Sequence, residues 1–164
     1  SILVVAMLTI RAVIAATDPR MFAPKLMGVD KSDQPFTVTA DTAVRLAGAL
    51  DREIYELAQP KADIALRDGS WWVLSAAKGL YSRDDNQLRL TGEVSLFYDR
   101  GYEFVTDDVR VDLEQRSAAG DRPVRGQGPA GSIVAQGFRL VEGGRRLDFL
   151  GDTKLVFARP GGAR

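Results

Sequence analysis

The sequence has 164 residues, and its 22 Lys and Arg are balanced by 22 Asp and Glu, so the formal net charge is zero. This length suits one domain, and a neutral chain without a basic run argues against nucleic-acid binding. Cysteine and histidine are both absent. Their absence excludes disulfides, thiol nucleophiles, the commonest metal ligand and the usual general base at neutral pH. We therefore expect no cofactor, no metal site and no enzymatic activity.

The first residues form an apolar segment. Residues 2–16 are apolar apart from Thr9 and Arg11, whereas a membrane helix needs about 20 such residues. We interpret residues 1–16 as the end of an N-terminal membrane anchor or a signal-like segment, slightly ahead of an apolar first strand. Residues 17–34, interrupted by prolines and a glycine, predict a linker with an incoming strand. The main domain is expected over 35–158, followed by a flexible C-terminal tail over 159–164.

Alternation of apolar and polar residues predicts strands throughout the main domain. Residues 36–40 alternate in this way, and 41–53 have a helical composition, but we favour a strand over 43–46. Turns are expected near Asp68, Asp85, Arg100, Gly120 and Gly143, because such Asp-Gly and Gly-Gly stretches favour hairpins. Longer strands are predicted over 88–98, 102–113, 133–141 and 147–157, with a polar, flexible stretch over 114–122. The pattern predicts an all-β antiparallel fold that closes over its apolar face.

One hairpin motif occurs twice in the chain. Residues 77–80 and 88–96 are repeated at 135–138 and 147–155. The offset is 58 residues at Gly79 and Gly137, and 59 residues at Leu88 and Leu147, which one inserted turn residue explains. Gly92 and Gly151 occupy matched positions inside the predicted strands. Glycine in a strand often marks a bulge or bend, so we expect one at each position.

Three motifs suggest chemistry but have simpler explanations. Gly126, Gly128 and Gly131 match the dinucleotide fingerprint GxGxxG, but no strand–helix unit surrounds them, so they predict a connector between two hairpins. The acid pairs at 84–85 and 107–108 are typical of turns and solvated strand edges, although facing carboxylates could serve a hydrolase. The Trp pair at 71–72 predicts one core ring and one exposed or groove-facing ring, because neighbours in a strand face opposite ways.

Several segments, taken in order, resemble the periplasmic domain of the LptC family, particularly its alphaproteobacterial members. The resemblance covers roughly residues 20–158 and is carried by PKLMGVD (24–30), QPFTVTA (34–40), AKGLY (77–81), LRLTG (88–92), GYEFVT (101–106), PVRGQGP (123–129), AQGF (135–138) and LDFLG (147–151). Each motif is weak alone, and their order and spacing give the resemblance its specificity.

The resemblance implies an OstA-like β-jelly roll, folded like a taco, in the lipopolysaccharide export machine. Members of this family are held in the inner membrane by an N-terminal helix and act in the periplasm. They receive lipopolysaccharide from an inner-membrane ABC transporter complex and pass it to the periplasmic bridge protein LptA. The transporter meets the N-terminal edge, here near residues 24–40, and LptA meets the C-terminal edge, near 147–157. Strands join edge to edge in such contacts.

Strand parity selects the residues that would line a groove for acyl chains. These are the apolar residues on one face of each predicted strand: Phe36, Val38, Trp72, Leu74, Leu88, Leu90, Val94, Leu96, Phe104, Val109, Val111, Ile133, Phe138, Leu140, Leu147, Phe149, Leu155 and Phe157. Periodicity alone favours a dry core over a groove. The alternative function is a β-sandwich module that binds carbohydrate or protein, with a sealed core and Trp71 or Tyr102 on an exposed platform.

Overall fold

A computed structural model describes residues 5–7, 20–29, 35–46 and 53–158, and every regular element in these residues is a β-strand. The predicted all-β fold is therefore confirmed. The strands are β1 (Val5–Met7), β2 (Arg20–Phe22), β3 (Lys25–Val29), β4 (Pro35–Thr39), β5 (Thr42–Arg45), β6 (Ile54–Ala58), β7 (Lys61–Ala65), β8 (Trp71–Ser75), β9 (Lys78–Ser82), β10 (Gln87–Tyr98), β11 (Tyr102–Asp112), β12 (Ser117–Gly120), β13 (Val124–Gly128), β14 (Gly131–Ala135), β15 (Gly137–Val141), β16 (Arg146–Leu150) and β17 (Lys154–Phe157).

All strand pairs are antiparallel, and the strands form one continuous sheet folded into two layers. Layer I runs β1-β3-β4-β7-β8, then through the second half of β10 and the first half of β11 to β13-β14-β17. Layer II runs β2-β5-β6-β9, then through the first half of β10 and the second half of β11 to β12-β15-β16. The long strands β10 and β11 belong to both layers and join them.

The chain passes from one layer to the other at a row of bends. Backbone hydrogen bonds continue across the bends from one to the next. The amide of Ala23 donates to the Asp41 oxygen (2.8 Å), that of Asp41 to the Ala58 oxygen (2.8 Å), and that of Ala77 to the Gly92 oxygen (2.9 Å). In the second half of the chain, the Gln136 amide donates to the Leu150 oxygen at 3.0 Å. We call this row of bends the spine, and the two layers meet along it.

The two matched glycines lie in the spine, Gly92 at a bulge and Gly151 at a bend, so the bulge or bend predicted at each position is confirmed. The register of β10 with β11 shifts between Thr91 and Val94, where Gly92 has a φ of 81°. Gly151 lies between β16 and β17 with a φ of 74°. Both values fall in the left-handed region that glycine adopts without strain. The repeated motif therefore corresponds to a repeated structural unit. Its first copy is β8 to β10 and its second copy is β14 to β17, and in each copy the chain starts in layer I, bends into layer II and returns to layer I.

Several strand predictions are confirmed and others need correction. The segment over 42–45 is a strand, and β10 and β11 match the two long strands predicted there. The single strands predicted over 133–141 and 147–157 are wrong, because each is broken by a bend. The polar stretch over 114–122 contains strand β12. Its small residues Ala118, Ala119 and Gly120 give a weak strand signal, although Ala118 is buried.

The first residues contribute to the sheet where the structure describes them. Strands β2 and β3 lie within residues 17–34 and add to layers II and I, respectively. Residues 5–7 pair with β3 as strand β1, while the remainder of the 1–16 segment and the 159–164 tail lie outside the described residues. None of the described residues belongs to a helix of the length and apolarity needed to cross a bilayer.

Candidate functional site

The space between the two layers is lined by the apolar residues that strand parity selected. The register places cross-strand neighbours on one face, so the inner face can be followed from Phe36 in layer I to Leu140 in layer II. Two of the predicted residues, Leu147 and Phe149, are half-buried and pack against this core. The others in the interior are buried: Phe36, Val38, Trp72, Leu74, Leu88, Leu90, Val94, Leu96, Phe104, Val109, Val111, Ile133, Phe138 and Leu140.

The middle of the interior is tightly packed. Leu74, Leu90, Val94 and Val109 have no exposed surface. Burial of such side chains contributes about 1.5–3 kcal/mol each relative to exposure. The space between Leu96 and Phe104 of layer I and Phe138, Leu147 and Phe149 of layer II encloses no volume that a water molecule could occupy. In this part of the fold, the layers are closed against each other.

A row of aromatic rings runs through the interior and bridges the layers. The ring centroids of Trp72 and Tyr98 are 4.9 Å apart, those of Trp72 and Phe104 are 6.1 Å apart, and those of Phe104 and Phe149 are 5.7 Å apart. Tilted rings at such distances attract each other beyond the contribution of buried area. Phe104 belongs to layer I and Phe149 to layer II, so the last contact crosses from one layer to the other.

The interior opens at its C-terminal end into an apolar pocket of about 150 Å³. Leu155 and Phe157 of β17 line this pocket, and their parity places them on the inner face, since Leu155 is opposite Ile133. They are nevertheless 53% and 75% exposed. Strand β17 is the last strand of layer I among the described residues, and the apolar inner face of this end is left uncovered. Sequence parity identifies the face, but it does not predict this exposure.

The N-terminal end of the interior holds a second, smaller pocket of about 70 Å³. Its lining combines layer I residues, such as Leu26 and Val38, with layer II residues, such as Tyr55 and Leu57. Lys25 and Arg83 also line the pocket and add cationic groups to its rim. Sequence reasoning selected only Val38 in this region. The other apolar residues of the lining were missed because short strands give too few alternating positions for a clear signal. They include Met21, Leu26, Ala43, Tyr55, Leu57 and Tyr81.

Aromatic rings on the inner face lie across glycines of the neighbouring strand. Phe36 faces Gly28 and Phe138 faces Gly120, and a Cβ on either glycine would lie 2.6 Å or 2.7 Å from the ring, respectively. The ring of Phe104 lies over Gly126 in the same way. Because a glycine has no side chain, the ring can lie flat against the sheet. These glycines therefore allow the three rings to pack close to the sheet.

The GxGxxG motif is part of one hairpin and has no phosphate-binding geometry. Gly126 and Gly128 lie in β13, Gly131 begins β14, and Gly128 is opposite Gly131 across the turn. The prediction of a connector between two hairpins is wrong in this detail, because the motif forms the tip of a single hairpin. Its glycines are used for close contact: a Cβ at Gly126 or Gly128 would overlap the ring of Phe104 or Tyr102.

Three buried side chains with polar groups, Thr106, Tyr81 and Trp72, have hydrogen-bond partners within the fold. The Thr106 hydroxyl donates to the Pro123 oxygen at 2.8 Å, and the Tyr81 hydroxyl donates to Asn86 Oδ1 at 2.8 Å. Burial raises the pKa of Tyr81 far above its ordinary value. The Trp72 indole donates to the Gly144 oxygen at 2.9 Å. Each bond satisfies a group that would be costly to bury alone.

The acid pairs occupy solvated positions that suit structural roles. Asp84 and Asp85 are exposed in the turn between β9 and β10. Asp108 accepts hydrogen bonds from Arg89 at 2.6 Å and 3.1 Å, and this arginine holds the pKa of Asp108 below its ordinary value. In the part of the chain that the structure describes, no group of three or more acidic side chains is placed to hold a metal ion.

The two adjacent tryptophans face opposite ways, as the sequence predicts. Trp72 is 4% exposed and Trp71 is 47% exposed on the outer face of layer I. Tyr102, the other candidate for an exposed platform, is half-buried and lines the C-terminal pocket. A surface platform at this end of the fold would therefore have Trp71 without Tyr102.

These features define a class of protein: a two-layer β-jelly roll with an apolar interior that opens at both ends. Comparison with protein families gives a more specific assignment. The profile described as "Lipopolysaccharide-assembly, LptC-related" matches residues 42–158, and the chain belongs to this family. Its function is therefore related to lipopolysaccharide transport, in a family of transport components. A search of curated proteins found no match.

Proposed function

We propose that this protein carries lipopolysaccharide with the acyl chains held between its two layers. The lipid is received from the inner-membrane ABC transporter complex at the N-terminal end and passed to LptA at the C-terminal end. This transfer takes place in the periplasm. Membership of the LptC family supports the substrate, and an interior that is apolar from one end to the other supports the place where the acyl chains lie.

The observation that carries the proposal is the exposure of Leu155 and Phe157 on the inner face of β17. Leaving a large apolar side chain in water forfeits about 1.5–3 kcal/mol relative to burying it. An acyl chain that reached this end would cover both residues and gain about 0.8 kcal/mol for each methylene removed from water. The uncovered inner face is thus suited to an apolar guest or to the continuing interior of a partner.

Passage through the closed middle requires the layers to separate. Along the spine they are joined by the chain itself and by hydrogen bonds between successive bends. On the side away from the spine, they are joined by side-chain contacts, including the bond from Trp72 to Gly144. Side-chain contacts of this kind can be exchanged for contacts with an acyl chain, whereas the spine bonds are retained. We infer that the roll opens about its spine when lipid is present.

The sheet edges provide the proposed contacts with partners. Strand β16 pairs with β15 and strand β17 pairs with β14, and within the described residues neither has a second neighbour. Unpaired edges have free backbone donors and acceptors and can add a strand from another protein. Adding strands to both layers at this end would extend the interior into LptA. Strands β1 and β2, the first strands of layers I and II among the described residues, offer the corresponding edge to the transporter complex.

The test is photo-crosslinking in cells that produce lipopolysaccharide. A photo-crosslinking amino acid is placed at Leu90, Phe149 or Leu155, which face the interior, in separate variants. Matched controls carry it at Arg89 and Lys154, which are next to Leu90 and Leu155 on the opposite face of the same strands and do not line the pocket. We expect lipopolysaccharide adducts at the three inner positions, well above those at the two outer positions.

Equal adducts on both faces, or adducts at the outer positions alone, would contradict the proposal. The second outcome would favour a surface-binding module with Trp71 on its platform. Adducts at Leu155 without adducts at Leu90 would confine lipid to the exit pocket and exclude passage through the middle.

A further inference from the structure

Two aromatic residues separate the closed middle of the interior from the C-terminal pocket. Phe104 and Phe149 line the tightly packed space on one side, which also contains Leu96 and Phe138. The same two residues line the open pocket on the other side, together with Leu155 and Phe157. Their rings meet across the gap between the layers at a centroid distance of 5.7 Å. The pair therefore forms the wall between the interior and its exit.

The position of the Phe104 ring depends on Gly126. These residues are directly opposite each other in β11 and β13. A Cβ on Gly126 would overlap the Phe104 ring, and it would also lie 3.1 Å from Cγ2 of Ile133. With glycine at this position, the Phe104 ring lies flat against layer I, and its centroid is 5.7 Å from that of Phe149 in layer II. A larger residue would lift the ring toward Phe149.

Phe149 is the less buried member of the pair. It lies on β16, the last strand of layer II in the described residues, and is half-buried. The attraction between two tilted rings is comparable with the burial of a methylene group or two. An acyl chain arriving from the middle can therefore replace the contact between the rings at little cost.

We propose that Phe104 and Phe149 form a gate that controls passage of acyl chains from the interior to the C-terminal exit, and that Gly126 sets its width. The inference rests on the proposed function, because it assumes that acyl chains travel between the layers. It also explains the first glycine of the GxGxxG motif, because Gly126 leaves space for the Phe104 ring to lie flat against the sheet.

The test compares adduct yields on the two sides of the gate. Photo-crosslinking amino acids at Leu90 (before the gate) and Leu155 (after it) are combined with substitutions in the full chain in cells. For Phe149→Trp, we expect the ratio of Leu155 to Leu90 adducts to fall about threefold, because a larger ring fills the gap. For Phe149→Ala, we expect the ratio to rise. Phe97→Ala, which removes an exposed ring from the outer face of layer I, is the matched control and leaves the ratio unchanged.

The glycine is tested separately by rescue. Gly126→Ala is expected to lower the ratio, and adding Phe104→Ala to the same chain is expected to restore it, since the methyl group then has no ring to displace. A merely destabilised protein would not be restored by removal of a second core side chain. Unfolding midpoints measured on each purified variant identify any that fail to fold. Phe149→Trp, on a half-buried edge strand, remains informative if Gly126→Ala does not fold.

The possible outcomes distinguish the gate from the transport proposal. If Leu90 adducts persist and the ratio is the same in every variant, the gate is overturned and the proposed function stands. If the protein with the photo-crosslinking amino acid at Leu90 and no gate substitution gives no adducts, both the gate and the proposed function are overturned. A ratio that changes equally for Phe97→Ala would also overturn the gate.

Discussion

The indole nitrogen of Trp72 donates a hydrogen bond to the backbone oxygen of Gly144, 72 residues later in the chain, at 2.9 Å. Trp72 belongs to layer I, and Gly144 lies in the turn between β15 and β16 of layer II. The bond is buried and lies on the side away from the spine. The same turn packs on Leu66, so closely that a Cβ on Gly144 would lie 2.8 Å from Cδ2 of that residue. This contact fastens the two layers together.

Trp72→Phe should destabilise the protein by about 1–3 kcal/mol, because it leaves the Gly144 oxygen buried without its donor. The measurement is the free energy of unfolding from urea denaturation. Trp71→Phe is the matched control, since it makes the same change at the neighbouring exposed residue, and should stay within about 0.5 kcal/mol of the unsubstituted protein. Equal effects of the two substitutions would show that the bond across the layers contributes nothing.

Gly92→Ala should destabilise the protein more than Gly69→Ala. Both glycines have positive φ, 81° and 89°, so both substitutions carry the strain of a left-handed residue, about 1–2 kcal/mol. At Gly69, the added Cβ meets nothing within 4 Å, whereas at Gly92 it lies 3.0 Å from Cβ of Ala77 in the neighbouring bend. Crowding in the spine should add about 1–3 kcal/mol. Chemical denaturation of the two variants measures the difference, and a larger loss for Gly69→Ala would be contrary to expectation.

Leu155→Pro should weaken binding of LptA, the proposed partner. The Ala158 amide donates to the Ala130 oxygen, and amides alternate in direction along a strand, so the Leu155 amide points away from β14 to the unpaired side. Proline removes this donor and should weaken binding at least about fivefold, which corresponds to about 1 kcal/mol.

Leu155→Ala is the control for that edge, because it shortens the side chain and keeps the amide. Affinities for LptA can be measured by titration calorimetry with the purified full chain. If the alanine and proline variants bind equally well, an added strand at this edge is not how the two proteins associate.

Lowering the pH should remove the contribution of the Arg89–Asp108 pair. Arg89 lowers the pKa of Asp108 through its side-chain hydrogen bonds. The folded state therefore binds a proton less readily than the unfolded state at this site. The stabilisation that the ion pair gives the folded state is present above the ordinary Asp pKa of about 4. It is lost as the pH falls through the lower pKa that Asp108 has in the folded state.

Asp108→Asn should therefore cost about 0.2–1 kcal/mol at pH 7, as exposed ion pairs do, and progressively less in acid. Unfolding free energies measured from neutral to acid pH test this trend. Asp107→Asn, at the exposed neighbouring residue, should lack it. A cost for Asp108→Asn that is independent of pH would contradict the role of the ion pair.

Alternation identified the inner face of the fold from sequence because a strand has a period of two. Leu88, Leu90, Val94 and Leu96 are all buried, as parity predicts, even though the bulge at Gly92 interrupts the strand. Parity says which way a side chain points and nothing about what covers it. Leu155 and Phe157 point inward like the others, but they are exposed because they lie on the last described strand of their layer.

The bends were harder to predict than the faces. Apolar and polar residues alternate both before and after Gln136, so the sequence predicts one strand over 133–141, whereas the strand is broken at Gln136. The partner of each segment changes there from layer I to layer II, and pairing is a long-range property that a local pattern does not contain. Glycine marked the bends at Gly92 and Gly151, whereas Gln59 adopts a φ of 52° without such a signal.

The spine also determines how the fold can grow and where it can loosen. Each bent strand pair adds to both layers and contacts the pairs before and after it, as repeats do in a solenoid. Stability in such an array is approximately a sum over neighbouring units. Fraying at the β16–β17 end therefore disturbs one unit and leaves the centre around Leu74 and Leu90 intact. The chain is a short stack of hairpins whose last unit can be exchanged or extended while the others keep their structure.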